Sequence, residues 1–196
     1  TVFPVSCSDM FRDYKNCETM DLSNVDTSKV NSMDAMFILC GNLTTLDLSG
    51  WDTSKVTDMS FMFNDCSKLE TLDLSSFDTG SLVNMCYMFS GCYALSSLDL
   101  SSFNTSKVNT MNTAFCLCKS LKSLDLSHFD TSNVTNMSSL FKGCSSLESV
   151  DLSGWNTEKA RFMDYMFAYC NSLKNLDLSS FKTKSDTDIM EIFANC

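Results

Sequence analysis

Seven aspartates can act together, because they recur every 26 residues in the same local sequence. They are Asp21, Asp47, Asp73, Asp99, Asp125, Asp151 and Asp177. A ladder of carboxylates suits basic protein segments, and its hard oxygen atoms would favour Ca²⁺ over Zn²⁺ if a metal binds. The competing interpretation is local. Each carboxylate then accepts hydrogen bonds from the neighbouring Ser and Thr or from backbone groups, and some of these carboxyls have a raised pKa.

A column of small polar residues stands two positions before the aspartates. It contains Thr45, Thr71, Ser97, Ser123 and Ser149, with Thr19 and Asn175 at its ends. In a strand, residues two apart share a face, so both columns are predicted to form one outward partner-binding face. Tight interfaces usually need aromatic or Arg anchors, which this face lacks. Exposed aromatics elsewhere, such as Tyr87 and Tyr169, either supply them or pack between copies.

Cysteine is abundant, with 11 residues, but its spacing does not predict a metal site. Seven cysteines follow the 26-residue period and are expected to be buried free thiols: Cys40, Cys66, Cys92, Cys118, Cys144, Cys170 and Cys196. Cys86 and Cys116 lie outside this column, and a disulfide between them is the alternative to two free thiols. The close pair Cys116 and Cys118 has no accompanying His, so no zinc site is predicted.

Catalysis finds little support in the residue pattern. His128 is the single histidine and occupies a position that holds Ser, Gly or Asn in other copies. Ser and Asp are frequent only because they recur in every copy. The sequence has no separate Ser/His/Asp set and no Gly-rich phosphate loop in addition to the repeat pattern. We therefore expect a protein without catalytic residues, enzyme activity or cofactor.

Composition narrows the classes of partner. The chain has 196 residues, of which 44% are hydrophobic, and a formal net charge of −10. Only 14 basic residues stand among 24 acidic ones, which argues against nucleic acid as a partner. No apolar run approaches the roughly 18 residues of a membrane-spanning helix, so we expect no direct membrane insertion by this chain. Any export signal or anchor is expected to lie outside it.

Each 26-residue copy divides into two halves with different apolar periods. Leu46-Asp47-Leu48 alternates, as in a strand with one buried face. Met59, Met62, Phe63 and Cys66 follow the spacing i, i+3, i+4, i+7, which predicts about two turns of helix. So short a unit cannot bury its apolar stripe alone. The copies are therefore predicted to stack and to pair their strands into a parallel sheet.

The register predicts one repeat domain over residues 1–196. Residues 1–16 form a partial repeat or an N-terminal cap, and residues 17–196 form seven copies of 26 residues. The last copy is degenerate, because Asp186 replaces a core Val and Lys182 and Lys184 add charge. It is expected to act as a polar closing rung.

The unit Met-Phe-x-x-Cys-x-x-Leu-x-x-Leu-Asp-Leu-Ser-x-Phe-Asp-Thr-Ser-x-Val resembles the BspA-like leucine-rich repeats of bacterial surface proteins, which also occur in mycoplasma lipoproteins. The resemblance runs from about Cys7 to Cys196. It implies an α/β fold: a right-handed leucine-rich-repeat solenoid with one short parallel strand and one short helical arc per rung. Phe or Trp replaces the usual asparagine ladder. The threonines two residues later, such as Thr53 and Thr79, are expected to take over its hydrogen bonds.

The residues and the resemblance together predict a non-catalytic protein-binding or adhesion module on a microbial cell surface. Its extracellular partner would be a host or neighbouring-cell surface or matrix protein, held by the aspartate face. The alternatives are a Ca²⁺-binding face and a purely structural spacer. The sequence specifies no oligomeric state.

Overall fold

Short parallel strands form where the sequence alternates. The computed structural model describes all residues 1–196 and contains β1 (Thr19–Asp21), β2 (Thr45–Asp47), β3 (Ser123–Asp125) and β4 (Ser149–Asp151). Strand β1 pairs with β2 and strand β3 with β4, both parallel and in the 26-residue register. The central residue of each strand points inward and its neighbours are exposed. The alternation therefore orients these residues as predicted.

The predicted sheet through all copies is wrong in extent. The strands form two separate two-stranded sheets, and one further bridge joins Ser149 to Asn175. The segments around Leu72 and Leu98 belong to no strand. The physical reason is the shortness of the straight segment: only three residues align before the chain turns, so each strand makes few ladder hydrogen bonds.

The predicted helical arc is also wrong, because the chain contains no helix. In the second copy, the backbone N–H groups of Met59, Phe61, Phe63 and Asp65 donate to carbonyls of the next copy. Of the intervening residues, Met62 and Asn64 donate to the carbonyl three positions back, and Ser60 donates to the carboxylate of Asp58. Phe61 and Asp65 have positive φ angles of 56° and 58°, which an α-helix does not allow. The arc is a series of tight turns, and no helix in the chain has the length and apolarity needed to cross a membrane.

The arcs carry the longest continuous ladder between copies. Parallel bridges join Ser6, Ser32, Asp58, Asn84, Thr110, Asn136, Phe162 and Asp188 in sequence. Each step of this ladder is 26 residues. Equivalent residues of successive copies therefore lie side by side along this stretch of the chain.

Polar side chains hold the corners of each copy. In the second copy, Asp47, Asp52 and Asp58 each accept a hydrogen bond from the backbone N–H two residues later, at 2.9–3.0 Å. Such local bonds stabilise a tight turn. The second, third and fifth copies have three turns of this kind each, which accounts for the richness in Asp, Asn and Ser.

The space between strands and arcs is filled by columns of apolar side chains. One core of 51 buried residues extends from Phe3 to Cys170. Eight phenylalanines, from Phe11 to Phe193, stack with ring centroids 5.4–5.7 Å apart and within 13° of parallel. Beside them, each periodic Cys thiol donates to the carbonyl of a Phe in the preceding copy, as Cys66 does to Phe37 at 3.2 Å.

A ladder of buried threonine hydroxyls confirms the expected substitute for the asparagine ladder. The six hydroxyls from Thr27 to Thr157 donate to backbone carbonyls of the next copy at 2.9–3.1 Å. Four of them also accept a backbone N–H from that copy at 2.7–2.8 Å. The threonines thus satisfy backbone groups where the strands do not pair.

Candidate functional site

The seven aspartates of the predicted face are all exposed and occupy the same position in successive copies. In each, Oδ1 accepts the backbone N–H of the Ser two residues later, at 2.8–3.0 Å. The Ser hydroxyl also donates to Oδ1 at Asp21 and Asp125, at 2.7 Å. One carboxylate oxygen therefore stabilises the turn, and Oδ2 is left directed to solvent or to a partner.

The expectation of raised pKa values in this column is wrong. Hydrogen bonds from the Ser side chain and backbone hold the pKa below its usual value at Asp21, Asp73, Asp99, Asp125 and Asp177. Full exposure leaves little desolvation to oppose this effect, and donors to a carboxylate favour its charged form. These five carboxyl groups are ionised at neutral pH, so the aspartate face is negatively charged at that pH.

Three copies combine to form a groove in this face. Its volume is about 710 Å³, and its walls carry carboxylates from Asp125, Asp151 and Asp177 together with polar side chains such as Ser123 and Ser149. Leu124, Val150 and Leu152 also border it, but their side chains point to the core and are at most 8% exposed. No Lys or Arg lines the groove. A concave face that carries carboxylates and no cation suits a basic polypeptide segment.

The remaining predicted residues lie on the same side but outside the groove. Thr45, Thr71 and Ser97 are exposed, as are Asp21, Asp47, Asp73 and Asp99. The structure thus places all candidates in two neighbouring columns, and it brings the residues of the last three copies together in one depression. The sequence repeats the same residue types in every copy, so it did not predict that only the last three copies would form a groove.

No group of three or more His, Cys, Asp or Glu side chains lies together as a metal site would require. All eleven cysteines have free thiols, Cys86 and Cys116 included. Burial raises the pKa of the Cys92 and Cys170 thiols to about 12. His128 is exposed, and its Nε2 lies 3.0 Å from the backbone oxygen of Leu100.

Aromatic side chains collect on the outer surface of the arcs. Phe61 and Tyr87 stack with centroids 4.6 Å apart, so packing between copies explains this pair. Tyr93, Phe162 and Tyr169 are instead exposed over 37%, 48% and 46% of their surface. Packing between copies thus accounts for the stacked pair, and the proposed anchor role of the exposed rings stays a prediction.

Comparison with protein families gives a match over nearly the whole chain. Residues 5–123 and 94–196 match the family described as "Mycoplasma protein of unknown function, DUF285". The chain belongs to the DUF285 family. This membership confirms the resemblance to BspA-like leucine-rich repeat proteins. No curated protein matches the sequence significantly.

Two solved structures resemble this DUF285 chain. A leucine-rich repeat protein of T. pallidum is 20% identical, with a TM-score of 0.61, and the match covers 89% of this chain and 77% of that one. This likeness shows a leucine-rich repeat fold. A leucine-rich cell surface protein of Faecalibacterium prausnitzii A2-165 is 16% identical, with a TM-score of 0.31 and 92% of this chain covered. This chain spans 64% of the length of the F. prausnitzii protein.

Proposed function

We propose that this DUF285 chain is a non-catalytic protein-binding module on a bacterial cell surface. Its copies continue one another as a right-handed solenoid, and its aspartate face binds a basic segment of a host or neighbouring-cell protein. The surface setting is proposed from the BspA-like resemblance. The observation that carries the binding role is the groove in which Asp125, Asp151 and Asp177 stand together without a neutralising cation.

Charge and geometry both favour a polypeptide as the occupant. Carboxylates in adjacent copies repeat at about the 4.8 Å spacing of paired strands. A basic segment lying across the copies can place cationic side chains beside successive carboxylates. The hydroxyls of Ser123 and Ser149 and the amide of Asn175 add hydrogen-bonding groups along the same wall.

The test replaces Asp125, Asp151 and Asp177 together by Asn. Asn removes the charge but retains the oxygen that stabilises the turn, as Asn104 and Asn156 do elsewhere in the chain, where they accept the equivalent N–H at 3.1 and 3.0 Å. The probe is an octalysine peptide at low ionic strength, followed by fluorescence anisotropy. At about 0.5 kcal/mol for each exposed pair, the triple variant is expected to bind about tenfold more weakly.

A matched control separates the face from the net charge. Asp52, Asp78 and Asp130 form the second corner of their copies and stabilise turns of the same kind. Changing these three to Asn alters the net charge equally, and affinity should change less than about twofold. Equal losses in the two triple variants, or no loss in the first, would refute the aspartate face as the binding site and leave the spacer alternative.

A further inference from the structure

The single histidine of the chain, His128, lies beside the aspartate groove. It follows the groove residue Asp125 by three positions, after the turn in which Asp125 accepts the backbone N–H of Ser127 at 3.0 Å. The equivalent position in other copies holds Asn, Gly or Ser. Imidazole titrates between pH 5 and 8, whereas exposed carboxylates, Lys and Arg keep their charge in that range. A charge that responds to pH is therefore specific to the copy in which the groove begins.

A hydrogen bond fixes the position of the His128 ring without fixing its charge. Nε2 lies 3.0 Å from the carbonyl oxygen of Leu100 in the preceding copy. That oxygen can only accept, so Nε2 carries a hydrogen in the neutral ring and in the protonated ring. The ring also packs edge-on against Phe129, with centroids 5.1 Å apart and planes at 89°. Nδ1 can therefore gain a proton while the ring stays in place.

The charge of His128 reaches two members of the aspartate column. Hydrogen bonds from Ser127 are the main cause of the lowered pKa of Asp125, and the positive charge of His128 lowers this pKa further. At Asp99, hydrogen bonds from the Ser two residues later lower the pKa, the negative charge of Asp73 opposes them, and His128 adds to them. No Lys or Arg contributes to either shift. Protonated His128 therefore cancels part of the negative potential at the end of the groove that Asp125 forms.

We propose that His128 makes the binding of a basic segment to the aspartate face depend on pH, so that the segment is held more firmly near pH 7.5 than near pH 5.5. This inference rests on the proposed function of the aspartate face and adds its regulation. Asp99 and Asp125 stay ionised at pH 5.5, because hydrogen bonds hold their pKa values below the usual range. The change in the charge of this end of the groove between the two pH values therefore comes from His128.

The probe is a tetralysine peptide with blocked ends, whose extended length of about 13 Å suits three copies at strand spacing. Amide chemical shifts of the isotope-labelled chain are followed in titrations at pH 7.5 and pH 5.5, at about 0.1 M ionic strength. The dissociation constant of the wild-type chain should be about threefold higher at pH 5.5, an ordinary effect of one exposed charge. The midpoint of this rise should coincide with the titration of the His128 ring resonances.

Two substitutions separate the charge of His128 from its hydrogen bond. Ser102 and Ser180 hold the same position in other copies, and each donates to the equivalent carbonyl of the preceding copy at 3.4 Å. His128→Ser therefore keeps a donor for this carbonyl and removes the titration, so it should bind at both pH values as the wild-type chain does at pH 7.5. His128→Lys is charged at both pH values and should bind about threefold more weakly at both.

A matched control moves the histidine away from the groove. Asn24 holds the position of His128 four copies earlier, about 19 Å away at strand spacing and beyond the Debye length of about 10 Å. Asn24→His in the His128→Ser chain should therefore leave binding independent of pH. Equal affinity of the wild-type chain at the two pH values, or the same pH dependence in His128→Ser, would overturn this inference and leave the aspartate face as the binding site. No binding at pH 7.5 would overturn both.

Discussion

The buried threonine ladder should contribute measurably to stability, and Thr79→Val tests it. Thr79 is 1% exposed, its hydroxyl donates to the carbonyl of Asn104 at 3.1 Å and it accepts the N–H of Asn104 at 2.7 Å. Valine preserves the shape of the side chain and removes both bonds. Because Asn104 is exposed, water can reach part of the freed backbone. We therefore expect a loss of about 2–3 kcal/mol in the free energy of unfolding, near the lower end for two orphaned groups.

The ladder supplies its own graded comparison. Thr53 donates to the carbonyl of Asp78 at 2.9 Å but accepts no backbone N–H. Thr53→Val should therefore cost about 1–2 kcal/mol, since one bond is lost instead of two. Thr183 holds the same position in the last copy, where it is exposed, and Thr183→Val should be nearly neutral.

Urea unfolding followed by circular dichroism gives the three free energies. The expected order of destabilisation is Thr79→Val, then Thr53→Val, then Thr183→Val, with a common dependence on urea concentration. If Thr79→Val costs no more than Thr183→Val, the hydroxyls do not hold the copies together, and the account of the ladder is wrong.

Three further predictions concern the turns, the carboxylates and calcium. Ser139 has a φ of 56° and its side chain donates no hydrogen bond. Ser139→Gly should therefore raise the free energy of unfolding by about 0.5–1 kcal/mol. Ser145 has no positive φ, so Ser145→Gly should lower the free energy of unfolding. An increase at both positions in urea unfolding would contradict this explanation. The lowered pKa values of Asp21, Asp73, Asp99, Asp125 and Asp177 mean that their stabilisation is present above the unfolded value of about 3.9 and is lost as the pH falls through the folded values. The melting temperature should therefore drop below about pH 4, and it should drop less in a variant with Asn at Asp73, Asp99 and Asp125; parallel curves would refute the assignment. Calcium needs six to eight oxygen ligands, and no group of acidic side chains is placed to hold one ion together, so millimolar CaCl₂ should shift the melting temperature by less than about 1 °C. Micromolar binding in calorimetry would instead support the calcium alternative.

Much of the fold was predictable, because repetition converts sequence identity into spatial adjacency. The alternation in Leu46-Asp47-Leu48 correctly orients Asp47 outward. The periodic Met, Phe and Cys columns correctly predict the core. The threonine ladder was predictable because Phe or Trp replaces the usual asparagine ladder, and Thr recurs two residues later in every copy. Each of these rests on a residue whose role is the same in every copy.

The arc was not predictable from apolar spacing alone. Met59, Met62, Phe63 and Cys66 fit a helix, but the same spacing arises when turns follow one another and alternate N–H groups bond to the next copy. One signal was present. Gly91 and Gly143 occupy the column in which Leu39, Asp65, Leu117 and Tyr169 all have positive φ, and a recurring glycine there indicates such backbone.

The groove depends on differences between copies, which the repeat pattern does not show. Seven equivalent aspartates give one groove over three copies. Residues that recur in every copy predict the scaffold, whereas differences between copies shape the depressions on its surface. For this reason the sequence predicted the exposed aspartate face and not the groove in it.

The most direct test of the aspartate face is to map an octalysine peptide on it by amide chemical shifts at low ionic strength. The account predicts that the largest changes lie in residues 123–125, 149–151 and 175–177, which line the groove. Changes centred on the second aspartate column at Asp52, Asp78 and Asp130, or spread evenly over the acidic surface, would contradict it.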